Sequence, residues 1–221
     1  KNADTEGQRD AIDKVMGVIS FDMDGIILDV NDNFLDVVGY SKEVIVGQHH
    51  RMFAEPSLAS SPEYTEFWAK LNRGEYDSGE YKRIGKDGKE IWLQASYNPI
   101  LDLNGKPFKV VKYATDITEY KLKNADTEGQ RDAIDKVMGV ISFDMDGIIT
   151  DVNDNFTDVV GYSKDEIVGK HHRMFAEPSL ASSPEYTEFW AKLNRGEYDS
   201  GEYKRIGKGG SEVWLQASYN P

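Results

Sequence analysis

The chain has 221 residues and no cysteine, which excludes disulfides, thiolate metal ligands and cysteine nucleophiles. Its 26 basic and 39 acidic residues give a net charge of −13, which argues against nucleic acid and anionic lipid as partners. No apolar run approaches the roughly 20 residues of a membrane span, so we expect a cytoplasmic protein without membrane insertion, built as one or two folded domains.

The first elements along the chain are short. Residues 1–16 have apolar spacing typical of an amphipathic N-terminal helix. Two strands over 18–21 and 26–30 enclose the turn DMDG, and a helix over 31–40 ends at Gly39. Ser41 is expected to cap a further short helix, and Pro62 begins another.

Three consecutive strands follow, over 75–84, 91–98 and 108–115. The middle strand alternates, with Ile91, Leu93, Ala95 and Tyr97 on one face, which predicts that this face is buried. Asn104 and Gly105 predict a tight hairpin turn in which both residues take positive φ. Asp116 or Thr118 is expected to cap the next helix.

An internal repeat then dominates the sequence. The segment KNADTEGQRD at Lys1 occurs again at Lys123, an offset of 122 residues. Residues 119–138, between the copies, have the spacing of a connecting helix. The two copies, 1–99 and 123–221, differ at Leu28/Thr150, Leu35/Thr157, Glu43/Asp165, Val44/Glu166, Gln48/Lys170, Asp87/Gly209, Lys89/Ser211 and Ile91/Val213. Copies this similar must share one fold, whether the repeat arose by recent duplication or by construction.

The order of elements predicts an α+β fold, in which a five-stranded antiparallel sheet carries short helices on one face. The segments FDMDGIILDVNDNFLDVVGY, GQHHRMF, FWAKLNRGEYDSGEYKRIGKDGKEIWLQASYNP and VVKYATDIT resemble PAS domains of the kind found in tandem in methyl-accepting chemotaxis receptors and biofilm-dispersal regulators. The resemblance implies two tandem PAS domains, at 17–118 and 139–221, and places the strand over 108–115 at the centre of the sheet. The second copy lacks this last strand. We expect the natural chain to continue past Pro221; the alternative is a strand supplied by another molecule.

Two adjacent histidines in each copy are the first candidate site. They are His49 and His50, repeated as His171 and His172. In similar sensors a histidine in this region can be the axial haem ligand. The residues themselves favour a structural role, because no carboxylate spacing marks a metal cage. We therefore expect no metal site and leave the cofactor open, with haem or flavin as the candidates.

Aromatic and amide side chains form the second set of candidates. Trp68 and Trp92, repeated as Trp190 and Trp214, could stack on a flavin or another planar ligand, although such aromatic stripes more often form core. The polar groups Asn33 (repeated as Asn155), Tyr97 and Asn98 are expected near the cleft between sheet and helices. Their alternative role is to hydrogen-bond loop backbone.

Two of the differences between the copies carry a separate hypothesis. Leu28/Thr150 and Leu35/Thr157 each replace an apolar side chain by a hydroxyl. If these positions line one cavity, the copies differ in ligand preference; if they are exposed, the changes mean little.

The predicted function is a sensory module and not an enzyme. No catalytic triad order or phosphate-binding glycine loop is present, and DMDG lacks the parallel α/β context of an aspartyl-phosphate enzyme. The resemblance implies that a ligand, a cofactor redox change or a partner alters the domain. Asp116, Ile117 and Thr118 then relay the change through the flanking helices to a downstream chemotaxis-type signalling domain. The same helices are expected to form a homodimer. The alternative is a ligand-free dimerisation or protein-interaction scaffold.

Overall fold

The computed structural model describes the backbone of residues 2–221 and the side chains of residue 4 and residues 6–221. Lys1, where the predicted N-terminal helix begins, lies outside the described residues. The chain forms two compact units, which divide between Ala125 and Asp126. No helix of the described part is both long enough and apolar enough to cross a membrane.

The described part of the first unit contains five strands and six helices, the last of which continues into the second unit. These are α1 (Asn2–Val15), β1 (Gly17–Phe21), β2 (Ile27–Val30), α2 (Asp32–Val38), α3 (Lys42–Ile45), α4 (Pro56–Ala59), α5 (Pro62–Asn72), β3 (Asp77–Ile84), β4 (Glu90–Leu101), β5 (Pro107–Asp116) and α6 (Thr118–Val137). Short 3₁₀ turns cover His50–Phe53 and Lys86–Gly88.

The five strands form one antiparallel sheet in the order β2-β1-β5-β4-β3. The predicted central position of the last strand is therefore confirmed. Because β5 bonds to β1 on one side and to β4 on the other, it joins the two halves of the sheet. One face of the sheet is covered by the short helices, with Ile19, Leu93 and Val110 facing Phe34 and Leu71 in a single core.

The caps of α2 follow from its sequence. Asn31 Oδ1 accepts a hydrogen bond of 3.0 Å from the amide of Phe34, the third helical residue, and another of 2.8 Å from Val18. Gly39 ends the helix with φ at +76°, as predicted. Ser41 occupies the N-cap position of α3 as predicted, but its side chain makes no cap hydrogen bond.

The hairpin turn between β4 and β5 also differs from the prediction. The strands reach Leu101 and Pro107, which leaves a five-residue loop. Asp102 Oδ1 accepts from the amides of Asn104 and Lys106, at 2.8 and 2.9 Å, and this side-chain bonding holds the loop. Of the predicted pair only Gly105 has a positive φ, +78°, so a two-residue turn is not formed.

The second unit repeats the helices but not the joined sheet. After α6 it contains β6 (Ile141–Phe143), β7 (Ile149–Val152), α7 (Asp154–Val160), α8 (Lys164–Ile167), α9 (Pro178–Ala181), α10 (Pro184–Asn194), β8 (Asp199–Ile206) and β9 (Glu212–Tyr219). The strands form two separate pairs, β6-β7 and β8-β9. Within residues 126–221 no strand bridges the pairs, as predicted for a copy that lacks its last strand.

Candidate functional site

The centre of the first unit is a fully buried histidine. His50 lies on the 3₁₀ turn and is 0% exposed. Its Nδ1 lies 2.7 Å from the hydroxyl of Tyr64 on α5, and its Nε2 lies 3.0 Å from the hydroxyl of Tyr97 on β4. The ring also contacts Phe21 and Phe67 at centroid distances of 5.2 and 6.0 Å. Both ring nitrogens are thus hydrogen-bonded inside an aromatic shell.

Two cationic side chains are buried beside Tyr97. Arg83 on β3 donates from Nη2 to the Tyr97 hydroxyl at 3.1 Å. Lys112 on β5 is 0% exposed, and its Nζ lies 4.8 Å from the centroid of the Tyr97 ring and 5.2 Å from that of Phe34. Within the described structure, Lys112 Nζ makes no hydrogen bond of ordinary geometry. An unpartnered buried ammonium group is costly, so this cluster requires an explanation.

Sequence reasoning missed Lys112 and Arg83. The signal for Lys112 was present, because period-two alternation along β5 places it on the same face as Val110 and Ala114, both of which are buried. Because lysine is so often exposed, the alternation alone did not lead to the prediction that Lys112 is buried.

Burial and charge together set the protonation of this cluster. Burial, with the nearby charges of Arg83 and Lys112, holds the pKa of His50 well below its ordinary value, so the imidazole is neutral. Burial also lowers the pKa of Lys112, and Arg83 adds to that effect. Burial opposes ionisation of Tyr97, but the positive charges of Lys112 and Arg83 outweigh it and lower the Tyr97 pKa.

The second unit repeats the histidine but not the lysine. His172 Nδ1 lies 2.8 Å from the Tyr186 hydroxyl, and its Nε2 lies 3.1 Å from that of Tyr219. Arg205 Nη2 donates to the Tyr219 hydroxyl at 3.0 Å. No residue of 126–221 corresponds to Lys112. Burial lowers the pKa of His172 to about 3, and here burial raises the pKa of Tyr219.

His49 has a local role at the start of the 3₁₀ turn. Its Nδ1 accepts from the amide of Arg51 at 3.0 Å, and its Nε2 lies 3.3 Å from the Arg51 guanidinium. His171 bonds to Arg173 in the same way. Haem ligation needs a histidine nitrogen with a free lone pair beside an open space. All four histidines use both ring nitrogens, so the residues present do not fit a haem.

The tryptophans divide between the core and the outer face. Trp68 packs edge-on against Phe21 and His50, at 5.8 and 5.6 Å between ring centroids, and its Nε1 is buried without a partner among the described residues. Trp190 repeats these contacts. On the other face of β4, Trp92 is half-buried, and Lys121 Nζ lies 5.2 Å from the centroid of its ring.

In neither unit do the two tryptophans therefore meet at one surface. Trp214, the counterpart of Trp92, is 67% exposed. The proposed stack on a flavin would need aromatic faces that open onto the cleft, and Trp68 and Trp190 use their faces and edges on neighbouring rings.

The predicted amides bind protein groups and not a cleft. Asn33 donates to the carbonyls of Asp13 and Met16 at 2.8 and 3.2 Å, which ties the end of α1 to α2. Asn155 repeats this with its own unit's carbonyls at 2.8 and 3.2 Å. Asn98 donates to Ser96 Oγ and to the carbonyl of Val111. Of the predicted site residues, the structure brings His50, Trp68 and Tyr97 together.

The two apolar-to-hydroxyl differences do not line one cavity. Leu28 is 47% exposed and Thr150 is exposed as well. Leu35 packs against the core, while the Thr157 hydroxyl donates to the carbonyl of Asp154 at 2.8 Å. Because Leu28 and Thr150 are exposed, this position does not support the hypothesis that the two copies prefer different ligands.

The start of α6 is fastened to the sheet. Asp116 Oδ1 accepts from the amide and the hydroxyl of Thr118, at 2.9 and 2.6 Å, and so caps the helix as predicted. The carbonyl of Trp92 accepts from the amide of Ile117 at 2.8 Å, and Thr118 Oγ1 accepts from the Trp92 amide at 2.9 Å. Lys121, one turn into α6, pairs with Glu80 on β3.

A comparison of the sequence with known families identifies a fold that has the same sheet, short helices and central last strand. The model of the PAS fold matches residues 27–114 and 149–221. The chain belongs to the PAS family. Proteins with similar sequences are named as a biofilm dispersion protein and an aerotaxis receptor, which supports a role in sensory signal transduction.

Two curated relatives show the type of PAS protein. The biofilm dispersion protein BdlA of Pseudomonas aeruginosa is 43% identical over 211 residues, which is 96% of this chain and 51% of BdlA. The aerotaxis receptor of Escherichia coli is 33% identical over 80 residues, which is 36% of this chain and 16% of the receptor. The chain thus spans about half, or less, of the length of these relatives.

Two solved structures are also similar to part of the chain. A PAS domain of a protein from Colwellia psychrerythraea is 28% identical and has a TM-score of 0.45, over 52% of this chain and 98% of that domain. An RNA-binding light-oxygen-voltage receptor is 19% identical, with a TM-score of 0.49, over 60% of this chain and 39% of the receptor.

Proposed function

We propose that this chain is the sensory input module of a chemotaxis-type or biofilm-dispersal regulator. Its first unit relays changes at the His50 cluster, formed by His50, Tyr97, Arg83 and Lys112, to α6. The observation that carries the proposal is that β4 and β5 contribute both to the His50 cluster and to the junction with α6. Tyr97 on β4 lies opposite Lys112 on β5, and four residues along the same ladder Leu93 lies opposite Asp116.

The path between the two places is short and hydrogen-bonded. A shift of Tyr97 against Lys112 changes the relative position of β4 and β5. Trp92 and Ile117, at the end of that ladder, hold the first turn of α6 through backbone bonds. Small movements of the strands therefore tilt or release the start of α6, which is a two-state element of the kind that signalling requires.

The output belongs to the helices. α6 presents Leu122, Ile134 and Val137 to solvent, and α1 presents Val15. We propose that these exposed apolar side chains bind the same helices of a second copy, so that the relay changes helix packing in a dimer. In this proposal a downstream signalling domain receives the change.

Hydrogen exchange followed by mass spectrometry tests the relay. Tyr97→Phe removes the hydroxyl that joins His50, Arg83 and β4, which costs about 1–3 kcal/mol of local stability. We expect faster exchange in peptides covering 92–97 and also in 116–122. The matched variant Tyr219→Phe removes the same hydroxyl from the second unit and should leave 116–122 unchanged.

Two further results decide the matter. Thr118→Val keeps the shape but removes the oxygen that accepts from the Trp92 amide, and it should uncouple exchange in 119–122 from the Tyr97→Phe change. If exchange in 116–122 is the same in the parent and in Tyr97→Phe, the relay is refuted.

The packed surroundings of His50 favour a second candidate, a ligand-free scaffold. His50 and Tyr97 are both 0% exposed, and their ring contacts leave the cluster filled by side chains. Absorbance and native mass spectrometry of the purified chain separate the two functions. A co-purified small molecule supports the sensor, whereas a bare protein mass together with an unchanged dimer in Tyr97→Phe supports the scaffold.

A further inference from the structure

The charges around Tyr97 do not balance while every group keeps its ordinary protonation. Lys112 and Arg83 are both buried, at 0% and 4% exposure. Arg83 donates to the Tyr97 hydroxyl, and Lys112 Nζ lies 4.8 Å from the centroid of the Tyr97 ring. Two buried cations without a carboxylate would be very unfavourable in a site that excludes water. Either Lys112 loses its proton, or an anion from the cluster or from outside balances the two positive charges.

We propose that Tyr97 is held as a phenolate at neutral pH in the first unit, where it forms a buried ion pair with Lys112 and Arg83. The proton balance is simple. A neutral tyrosine beside a neutral lysine and a phenolate beside an ammonium group hold the same number of protons. The second arrangement places opposite charges together, and Arg83 already donates a hydrogen bond to the oxygen.

The histidine packed against Tyr97 is consistent with a negative charge there. On the 3₁₀ turn, neutral His50 can donate from Nε2 to the Tyr97 oxygen and accept at Nδ1 from the Tyr64 hydroxyl. In this series of hydrogen bonds, from Tyr64 to His50 to Tyr97, each donor then has one acceptor. The phenolate therefore selects the Nε2–H tautomer of His50.

The neighbouring strand β3 places the carboxylate of Asp77 near the cluster. Asp77 lies opposite Tyr97 in the sheet register and accepts hydrogen bonds from Tyr81 and from Lys70, the latter at 2.7 Å. It is half-buried and already paired. Asp77 therefore does not supply the charge that Lys112 and Arg83 require, and its own ion pair with Lys70 limits its repulsion of a phenolate.

The second unit supplies the internal comparison. Tyr219 keeps its histidine and its arginine at nearly the same distances, 3.1 and 3.0 Å, but no lysine lies beside its ring. Burial raises the pKa of Tyr219, whereas the pKa of Tyr97 is lowered. Lys112 is thus the group that distinguishes the two tyrosines, and Tyr219 should remain neutral.

Near-ultraviolet absorbance of the whole chain tests this assignment, because phenolate absorbs at longer wavelength than phenol. At pH 7 we expect one phenolate equivalent among the 12 tyrosines, lost in Tyr97→Phe and unchanged in Tyr219→Phe. Lys112→Met should also remove the band and move ionisation of Tyr97 to alkaline pH. Equal phenolate absorbance in the parent and in Tyr97→Phe overturns the proposal.

A measurement on the unmutated chain guards against variants that do not fold. With ¹³C-labelled tyrosine, the Cζ signal of Tyr97 should lie in the phenolate range at pH 7, while that of Tyr219 lies in the phenol range. With ¹⁵N-labelled histidine, His50 should show the Nε2–H tautomer. A phenol-range signal from Tyr97, or the Nδ1–H tautomer of His50, refutes the assignment.

Discussion

The buried histidine of the second unit should make that unit unstable in acid. The folded state keeps His172 neutral, because burial lowers its pKa from 6.5 to about 3. The unfolded chain, whose histidine is solvated, takes up a proton below about pH 6.5. Between these values the unfolded state binds more protons, so the free energy of unfolding falls as the pH falls.

The size of the effect follows from the shift. Each unit of pKa corresponds to about 1.4 kcal/mol, so His172 alone accounts for about 5 kcal/mol when the pH has fallen from about 6.5 to 3. At pH 4.5 the loss is about 3 kcal/mol. This is a large part of the stability of an ordinary domain, about 5–15 kcal/mol.

Urea unfolding at several pH values measures this loss. In a Trp68→Phe/Trp92→Phe background, the fluorescence of Trp190 and Trp214 reports on the second unit alone. We expect the free energy of unfolding to decline by about 1.4 kcal/mol per pH unit below pH 6, beyond the contribution of carboxylates. His172→Gln should lower stability at pH 7 but remove that part of the slope.

The neighbouring histidine provides the control. His171 is partly exposed, whereas His172 is buried, so His171→Gln should change the slope much less than His172→Gln. A His172→Gln variant that keeps the full slope of the parent would refute the reasoning, since the acid sensitivity would then come from other groups.

The core, one helix cap and one exposed tryptophan each give a further expected outcome. Leu71→Ala empties a fully buried position and should cost about 2–5 kcal/mol, measured by urea unfolding. Val44→Glu replaces a side chain that is 52% exposed by one that can bond to Ser41 and pair with Lys86, and it should add about 0.5–1 kcal/mol, seen as a higher melting temperature. The fluorescence of Trp214, which is 67% exposed, should be strongly quenched by acrylamide in a chain where it is the sole tryptophan.

The repeat supplies the matched controls. Glu166 already forms the capping box with Ser163 and pairs with Lys208 at 2.6 Å, so Glu166→Val should lose what Val44→Glu gains. A chain that retains Trp92 alone should be quenched less than one that retains Trp214 alone. A stable Leu71→Ala variant, or equal quenching of the two tryptophans, would contradict the burial described above.

Periodicity was the part of the sequence that predicted the fold well. Alternation along β4 placed Leu93 and Tyr97 in the core, and glycine ended α2 at the expected position. These features depend on local geometry, which the sequence carries directly. The turn after β4 was wrong because Asp102 captures two backbone amides, a local competition that the Asn104-Gly105 pair does not reveal.

The site was harder to predict because it depends on contacts between distant strands. Asn33 and Asn98 are polar residues near the expected cleft, yet their amides bind backbone carbonyls of neighbouring elements. His50 was recognised, but its hydrogen-bond partners come from α5 and β4, and the decisive Lys112 comes from β5. No sequence pattern predicts that a lysine will be buried against the ring of a tyrosine 15 positions earlier.

The near identity of the repeats has a consequence for how this chain reaches its native state. β5 bonds to β1 and β4, and the second unit contains the shorter strands β6 and β9, whose residues match the aligned residues of β1 and β4 except at Ile91/Val213. Before either unit has formed, the edges of β6 and β9 compete with those of β1 and β4 for β5, although the five-residue loop favours pairing with β4. Refolding should therefore partition between the native pairing and an exchanged pairing, a competition that is characteristic of tandem domains with very similar sequences.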